Sequence, residues 1–435
     1  TAICQVQDES PQAAGVPAAS PAFEASRDFL TQFLAERGGG QASPAAMLRW
    51  LQVALGALTA GLYFGLGRRA FCSPLVGLVA GLFVALNPFA VINVAQLQDG
   101  TVTSFLLAFA LASGARAGQR GGALTSILFG LSLAALTLVR LTMTPFALVS
   151  LAWFLHRSSR LRQGWLFALL AFLGFAGGVG SWMGHNYQEK QHPIPIVDSM
   201  WWHLWLGNNP HATGGPQDGE IKDLLPPEAP KTEEAPPKPA AEQPQEGGAQ
   251  EPQGEKLVAA NRQKDQPAQV RTGHEELAAK VLEEVQSEPV KTVERRLVAG
   301  LYFFTGKYDG QRGGMFKQPA DSALDERLHW LDDALYCTLI IMLFLGLLGW
   351  RWSYAWRMHT MPLQLAIYWV PVPFLLSHAE ALHGPRLPLD GVLLTLSAFA
   401  LCCLLPGLGG RLLKGEPPSD ATSTTSPPPP PVARM

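Results

Sequence analysis

Charged side chains are scarce in this chain of 435 residues, where Asp, Glu, Lys and Arg together supply 16% against the roughly 25% usual in soluble domains. That deficit argues against an ordinary soluble globular protein. There is no basic excess either: the formal net charge is -2, and without a positive field a nucleic-acid partner has no electrostatic support. Cysteine is equally sparse. The five thiols, Cys4, Cys72, Cys337, Cys402 and Cys403, show no metal-ligand spacing, and four lie in or beside apolar runs where a thiol acts as a small hydrophobe. Neither a disulfide framework nor a zinc site is indicated. The chain opens on Thr1, and no charged segment followed by a short apolar core stands there. A processed or truncated chain is the expectation.

What the chain has in quantity is apolar sequence, 48% of its residues, gathered into long runs. A helix needs about 20 apolar residues to cross a bilayer, and somewhat fewer where Trp or Arg anchors its ends. Met47–Gly67, Pro74–Ala95 and Thr101–Ala115 are the first candidates, and Ala123–Leu155 is long enough for two crossings with Arg140 near its middle. Gln163–Met183, Trp330–Trp350, Met361–Ala379 and Leu387–Leu405 complete the set. The expectation is an all-α polytopic membrane protein with about nine transmembrane helices, judged by that length, in residues 47–187 and 330–410.

Lys and Arg of short loops collect on the cytoplasmic side of a membrane. Arg68 and Arg69, Arg116 and Arg120, Arg157, Arg160 and Arg162, Arg351 and Arg357, and Arg411 and Lys414 all fall on one side of this arrangement. The other side then receives the N-terminal segment 1–46, the turn Gln96–Gly100, the Arg140 region, the loop 188–329 and the turn His383–Arg386. Within the large loop, residues from about 226 to 269 are rich in Pro, Glu, Gln, Lys and Ala, a composition that cannot bury enough surface to offset ordering entropy. Apolar periodicity returns with Leu277, Val281 and Val285, breaks at Pro289 and resumes with Val290, Val293 and Leu297. Two amphipathic helices lying on the outer leaflet are expected over about 274–305. The tail 411–435 ends in Ser, Thr and Pro and reads as a disordered cytoplasmic end.

Polar chemistry therefore gathers on the outer face. Asp8 with Glu9 and Asp99 are the carboxylates there that can act as a general base; solvated surface is the plainer reading of the first pair, and a polar turn tip that of Asp99. Arg140 interrupts an apolar run, and a guanidinium in such a place is a functional-site hypothesis by default, although it can also snorkel to water from a loop. Arg386 carries the same two readings. His185, His203, His211 and His383 have no partners at metal-ligand spacing, which leaves room for a divalent ion without naming its ligands.

Two stretches, Trp182-Met183-Gly184-His185-Asn186-Tyr187 and Leu204-Trp205-Leu206-Gly207-Asn208-Asn209-Pro210-His211-Ala212-Thr213-Gly214, resemble the bacterial membrane glycosyltransferases of the GT-C superfamily, of the protein O-mannosyltransferase and aminoarabinose-transferase type. The segments Leu51–Ala60, Ala278–Phe304 and Arg386–Leu389 agree in order. The likeness implies inverting transfer of a sugar from a polyprenyl-phosphate donor to a lipid, glycan or protein acceptor, in a bacterial inner membrane. It implies a catalytic carboxylate in the first outer loop, for which Asp8 and Glu9 are the adjacent acids, just after a first transmembrane helix, and the expectation is that the sequence begins inside or after that loop. It assigns Arg140, His185 and Arg386 to the donor phosphate, with Trp182, Asn186, Gly207, Asn208 and Asn209 shaping the cavity. His185 stands where the family has Arg. Gly207-Asn208-Asn209-Pro210 is also a good turn in its own right, and the two readings stand side by side. A transporter or flippase and a noncatalytic lipid-binding protein are the competing functions.

Overall fold

The computed structural model describes residues 44–95, 99–190, 200–215, 278–305, 322–376 and 386–415. Among the described residues there are helices and no strand. In chain order they are α1 (Pro44–Ala70), α2 (Pro74–Ala85), α3 (Pro88–Ala95), α4 (Gly100–Arg120), α5 (Ala123–Val139), α6 (Thr144–Ser158) and α7 (Gly164–Lys190). Then follow α8 (Met200–Asn208), α9 (278–287), α10 (Pro289–Thr305), α11 (Ser322–Trp352), α12 (Arg357–Trp369), α13 (Val372–Leu376), α14 (Leu387–Cys403) and α15 (Gly409–Lys414). The N-terminal segment with Asp8 and Glu9, the insert at 226–269, the His383 turn and most of the tail lie outside the described residues.

Proline and capping groups set many of these boundaries. Ser73 accepts a hydrogen bond from the Val76 amide at 3.4 Å with Pro74 opening α2, and Pro occupies the first turn of α6 and α14 as well, where its missing N–H is not needed. Among the described residues four helical stretches are long and apolar enough to cross a membrane: Met47–Ala70, Gly100–Arg120, Gly164–Gln188 and Asp333–Leu376. A fifth is counted if Pro74–Ala85 and Pro88–Val94 act as one broken span. The expected count of about nine crossings is higher because it takes shorter apolar helices as full spans, α5 and α14 with 17 residues each and α6 with 15, and divides the stretch Asp333–Leu376 into two.

Two expected runs behave differently from one another. The crossing expected over Pro74–Ala95 is not one continuous helix: the chain bends by 45° between α2 and α3, because Pro88 cannot continue the helix and the Asn87 side chain accepts the Phe89 amide at 3.2 Å instead. The run Ala123–Leu155 does divide near its middle. Arg140 is extended (φ -144°, ψ 104°) and ends α5, and a short 3-10 turn, Leu141–Met143, leads into α6.

Helix α14 is the hub, with every residue but Leu394 and Leu401 buried. It packs on α11, α2 and α4, Ser397 donates to the Met342 carbonyl at 3.1 Å, and Phe399 stacks on Phe71 with ring centroids 4.0 Å apart. Small residues let the backbones approach where no water-driven force joins the helices. In the α5–α7 pair, Gly130 lies so close to the Ala171 carbonyl that a Cβ there would collide with it, and Gly174 and Gly178 meet Ile127 and Ala134 of α5. Large apolar side chains face outward instead, among them Leu78, Leu82, Phe172, Leu173, Ile341 and Phe344, the pattern of a surface bathed in lipid.

Helix α4 gives the bundle its two ends. Its 21 residues span about 30 Å at 1.5 Å per residue. Asp99 lies at the start, and Arg116 and Arg120 lie in its last two turns.

Candidate functional site

The first end of the bundle is where the expected polar residues meet. Asp99 precedes α4 without capping it by its own side chain; the carboxylate is turned to Arg140, whose Nε lies 3.0 Å from Oδ2. Each side chain keeps a little solvent access, 9% for Asp99 and 13% for Arg140. The Asp99 carbonyl holds the helix start by accepting from the amide and hydroxyl of Thr103 at 2.8 and 2.9 Å. Arg140 reaches this place because α5 ends at it, and its guanidinium lies 5.9 Å from the ring centroid of Phe374, a favourable cation–π approach.

A second ion pair sits deeper. Arg386 Nε donates to Asp390 Oδ1 at 2.8 Å with both side chains 1% exposed. Arg386 Nη1 donates to the Phe304 carbonyl at 3.0 Å, and the guanidinium stacks 5.0 Å from the Phe89 ring centroid. Asp390 Oδ2 accepts from Asn87 Nδ2 at 3.3 Å. One residue, Asn87, thereby closes the α2–α3 break and satisfies the buried carboxylate. Arg386 Nη2 and the Tyr63 hydroxyl are buried without a hydrogen-bond partner, and the Tyr63 ring lies directly over Gly391, where a Cβ would not fit.

The two pairs belong to one neighbourhood. At Gly100, next to Asp99, a Cβ would meet Asn93 Oδ1 at 2.7 Å and Leu387 Cδ2 at 3.0 Å, so the end of α3 and the starts of α4 and α14 converge. Asn93 in turn accepts from the Thr101 hydroxyl at 3.2 Å. Phenylalanines join the pairs from the other side: Phe374, under Arg140, lies 5.4 Å from Phe303, which lies 5.2 Å from Phe304, the carbonyl partner of Arg386.

Helices α8 and α10 cover this wall. Asn208 donates to the Leu204 and Leu376 carbonyls at 2.6 and 3.1 Å and accepts from Arg296. Asn209 donates to the Trp205 and Leu206 carbonyls at 3.2 and 3.0 Å and accepts the His211 amide at 2.9 Å. Their amides hold the turn and tether it to α13, with Gly207 buried between. Arg295 pairs with Glu284 at 3.2 Å, and Gly214, at φ +85°, takes a left-handed conformation to pass the Arg295 carbonyl. Burial, and then the neighbouring Arg295 charge, lower the pKa of the Arg296 guanidinium from its ordinary value. Arg295 Nη1 and Arg296 Nη1 are buried without hydrogen-bond partners.

Of the expected site residues, then, Asp99, Arg140 and Arg386 come to one neighbourhood. In Arg386, Nη2 is the nitrogen left without a hydrogen-bond partner, Nε being turned to Asp390 and Nη1 to the Phe304 carbonyl. His185 is exposed on α7 with its ring 5.4 Å from Trp182, and Asn186 beside it is buried. Asp390, Asn87, Arg296 and Phe374 were not singled out from sequence. Asp390 had a signal: a carboxylate inside an apolar run, four residues after an arginine and so on the same helical face. Among the described residues, no group of three or more His, Cys, Asp and Glu converges as metal ligands. No protein-family model matches the chain, and no curated protein or solved structure is similar to it.

Proposed function

We propose that this chain is a membrane glycosyltransferase of the GT-C type, with about nine crossings by the length criterion, that moves a sugar from a polyprenyl-phosphate donor to a lipid, glycan or protein acceptor at the outer face of a bacterial inner membrane. The observation that carries the reading is the Asp99–Arg140 pair at 3.0 Å, its side chains 9% and 13% exposed, a base and a phosphate-binding cation side by side at the edge of an apolar bundle. Donor phosphate arriving at Arg140 competes with Asp99 for the guanidinium and releases the carboxylate. Asp99 then takes the proton of the acceptor hydroxyl as its oxygen attacks the anomeric carbon from the face opposite the phosphate. The bond from that carbon to the phosphate oxygen breaks with inversion, its electron pair leaves on polyprenyl phosphate, and Arg140 balances the growing charge. Asp8 and Glu9 remain alternative bases.

The exposed stripe of Val290, Val293, Leu297 and Leu301 on α10, 60% exposed or more at each position, supports a helix laid on the outer leaflet over the donor's prenyl chain. A transporter is the second reading, favoured by the broken α2–α3 span whose Asn87 bonds Asp390, since discontinuous helices build transporter sites.

The test is release of polyprenyl phosphate, followed by mass spectrometry from bilayers holding the protein and a polyprenyl-phospho-sugar pool, with wild type beside D8N, E9Q, D99N and R140A. Release by wild type and loss in D99N and R140A is the expected result. Loss only in D8N or E9Q moves the base. No release by any form, with the lipid-linked sugar carried across the bilayer, gives the transport reading the field.

A further inference from the structure

At the opposite end of the bundle a cleft of about 780 Å³ opens between α6 and the corner where α11 passes into α12. Arg157, Arg160, Arg351 and Arg357 line its mouth. Along α12 the lining turns apolar and aromatic with Met358, Met361 and Tyr368, and Tyr368 lies about 16 Å along the helix from Arg357 at 1.5 Å per residue. The arginines belong together spatially: Arg157 packs over Gly118 near the end of α4, and Arg357 donates to the Tyr354 hydroxyl at 2.6 Å while stacking on its ring.

Among the described residues this end is formed by the segments 67–73, 115–123, 155–165, 350–362 and 404–415, which contain no Asp or Glu. Among the described residues no carboxylate pairs with Arg157, Arg160, Arg351 or Arg357. The contrast with the other end is direct, because Arg140, Arg386 and Arg295 there each have an acid.

We infer that this cleft binds the phosphate headgroup of an anionic glycerophospholipid, with its acyl chains laid along Met358, Met361 and Tyr368. Planar guanidinium groups grip phosphate oxygens two at a time, and basic pockets between spanning helices are suited to acidic headgroups. A soluble anion leaves the apolar wall unused, and a zwitterionic headgroup places an ammonium among four guanidinium groups. The inference rests on the chain spanning a bilayer and not on the transferase reading.

The experiment is native mass spectrometry of the delipidated protein, titrated in turn with phosphatidylglycerol, phosphatidylcholine and inorganic phosphate. Phosphatidylglycerol adducts should outlast those of phosphatidylcholine, and their affinity should fall about fivefold for each guanidinium lost in R157Q and R351Q. R157K should recover most of that loss, while R116Q, at the same end but outside the cleft, should leave binding unchanged. A photoreactive phosphatidylglycerol bearing its label on the acyl chain should mark the peptide holding Met358 and Met361 in wild type, a result that does not depend on any variant folding. Equal retention of the two lipids, unchanged binding in R157Q/R351Q, or labelling elsewhere overturns the inference. Displacement of the lipid by inorganic phosphate with equal thermal stabilisation overturns it in favour of a soluble anion.

Discussion

Replacing Asp390 by Asn is nearly isosteric, and its effect can be worked from the surroundings of the pair. Arg386 and Asp390 are both 1% exposed and 2.8 Å apart, so D390N strands a guanidinium where no water reaches it. Breaking a buried pair from one side costs about 3–5 kcal/mol. Removing the cation as well, as in R386M/D390N, takes away the stranded charge and keeps an amide oxygen at position 390 to accept from Asn87 Nδ2 as the carboxylate does, and by itself is close to neutral. It still loses the bond from Arg386 Nη1 to the Phe304 carbonyl, worth about 1–3 kcal/mol when a buried acceptor is left bare. The double variant should therefore be more stable than D390N. The assay is reversible unfolding in mixed micelles by SDS titration, read by the fluorescence of the 12 tryptophans. A D390N variant within about 1 kcal/mol of wild type, well below the expected loss, would refute the reasoning and show the pair to be hydrated or rearranged in the bilayer.

Other perturbations test the packing and the covering helices. Gly130→Ala should destabilise by about 1–3 kcal/mol through overpacking, because the new methyl meets the Ala171 carbonyl, whereas Gly56→Ala faces open space and should be neutral or slightly stabilising in the same titration. Asn208→Ala, which removes the acceptor for Arg296 and the donor to Leu376, should cost about 1–3 kcal/mol and loosen α10, read as faster amide exchange over 289–305. Leu297→Trp should be quenched by brominated lipid if the exposed stripe of α10 lies on the bilayer, and full fluorescence there would place the stripe against something other than lipid. Burial raises the Cys72 thiol pKa, so iodoacetamide should modify it more slowly at pH 8 than it does a free cysteine and catch up as the pH climbs. The sign for stability follows: the unfolded thiol loses its proton first, at its ordinary pKa of about 8.5, so this contribution is full below that pH and is lost above it.

Much of the helical layout was legible because long apolar runs leave little choice in lipid, where every backbone group must be satisfied internally. The division at Arg140 was legible for the same reason, a charge being expensive inside such a run. The α2–α3 bend was not. Nothing in the composition of Leu86-Asn87-Pro88-Phe89 separates a kinked span from a broken one; that depends on Asn87 finding Asp390, more than three hundred positions away in the chain. Asp99 and Arg140 were each identified singly, but their pairing depends on α5 stopping one residue before the arginine. Arg386 was legible as a cation and not as a strut, because its partner was hidden inside a run read only for hydrophobicity.

The two pairs divide the work that the proposed chemistry requires. A base and a phosphate clamp must be reachable, yet they must be held in a fixed geometry by groups that are not. Asp99 and Arg140 keep some access to solvent, whereas Arg386 and Asp390 keep almost none. Arg386 fastens the end of α10 through Phe304, and α10 fastens α13 through Phe303 and Phe374, the ring beneath Arg140. The deeper pair thus sets where the shallower one stands. Mutating Arg386 should consequently disturb Arg140 without any direct contact between them, and R386M should lower turnover more than it lowers donor affinity if positioning is its role. A loss confined to donor affinity would instead make Arg386 Nη2 a direct ligand of the phosphate.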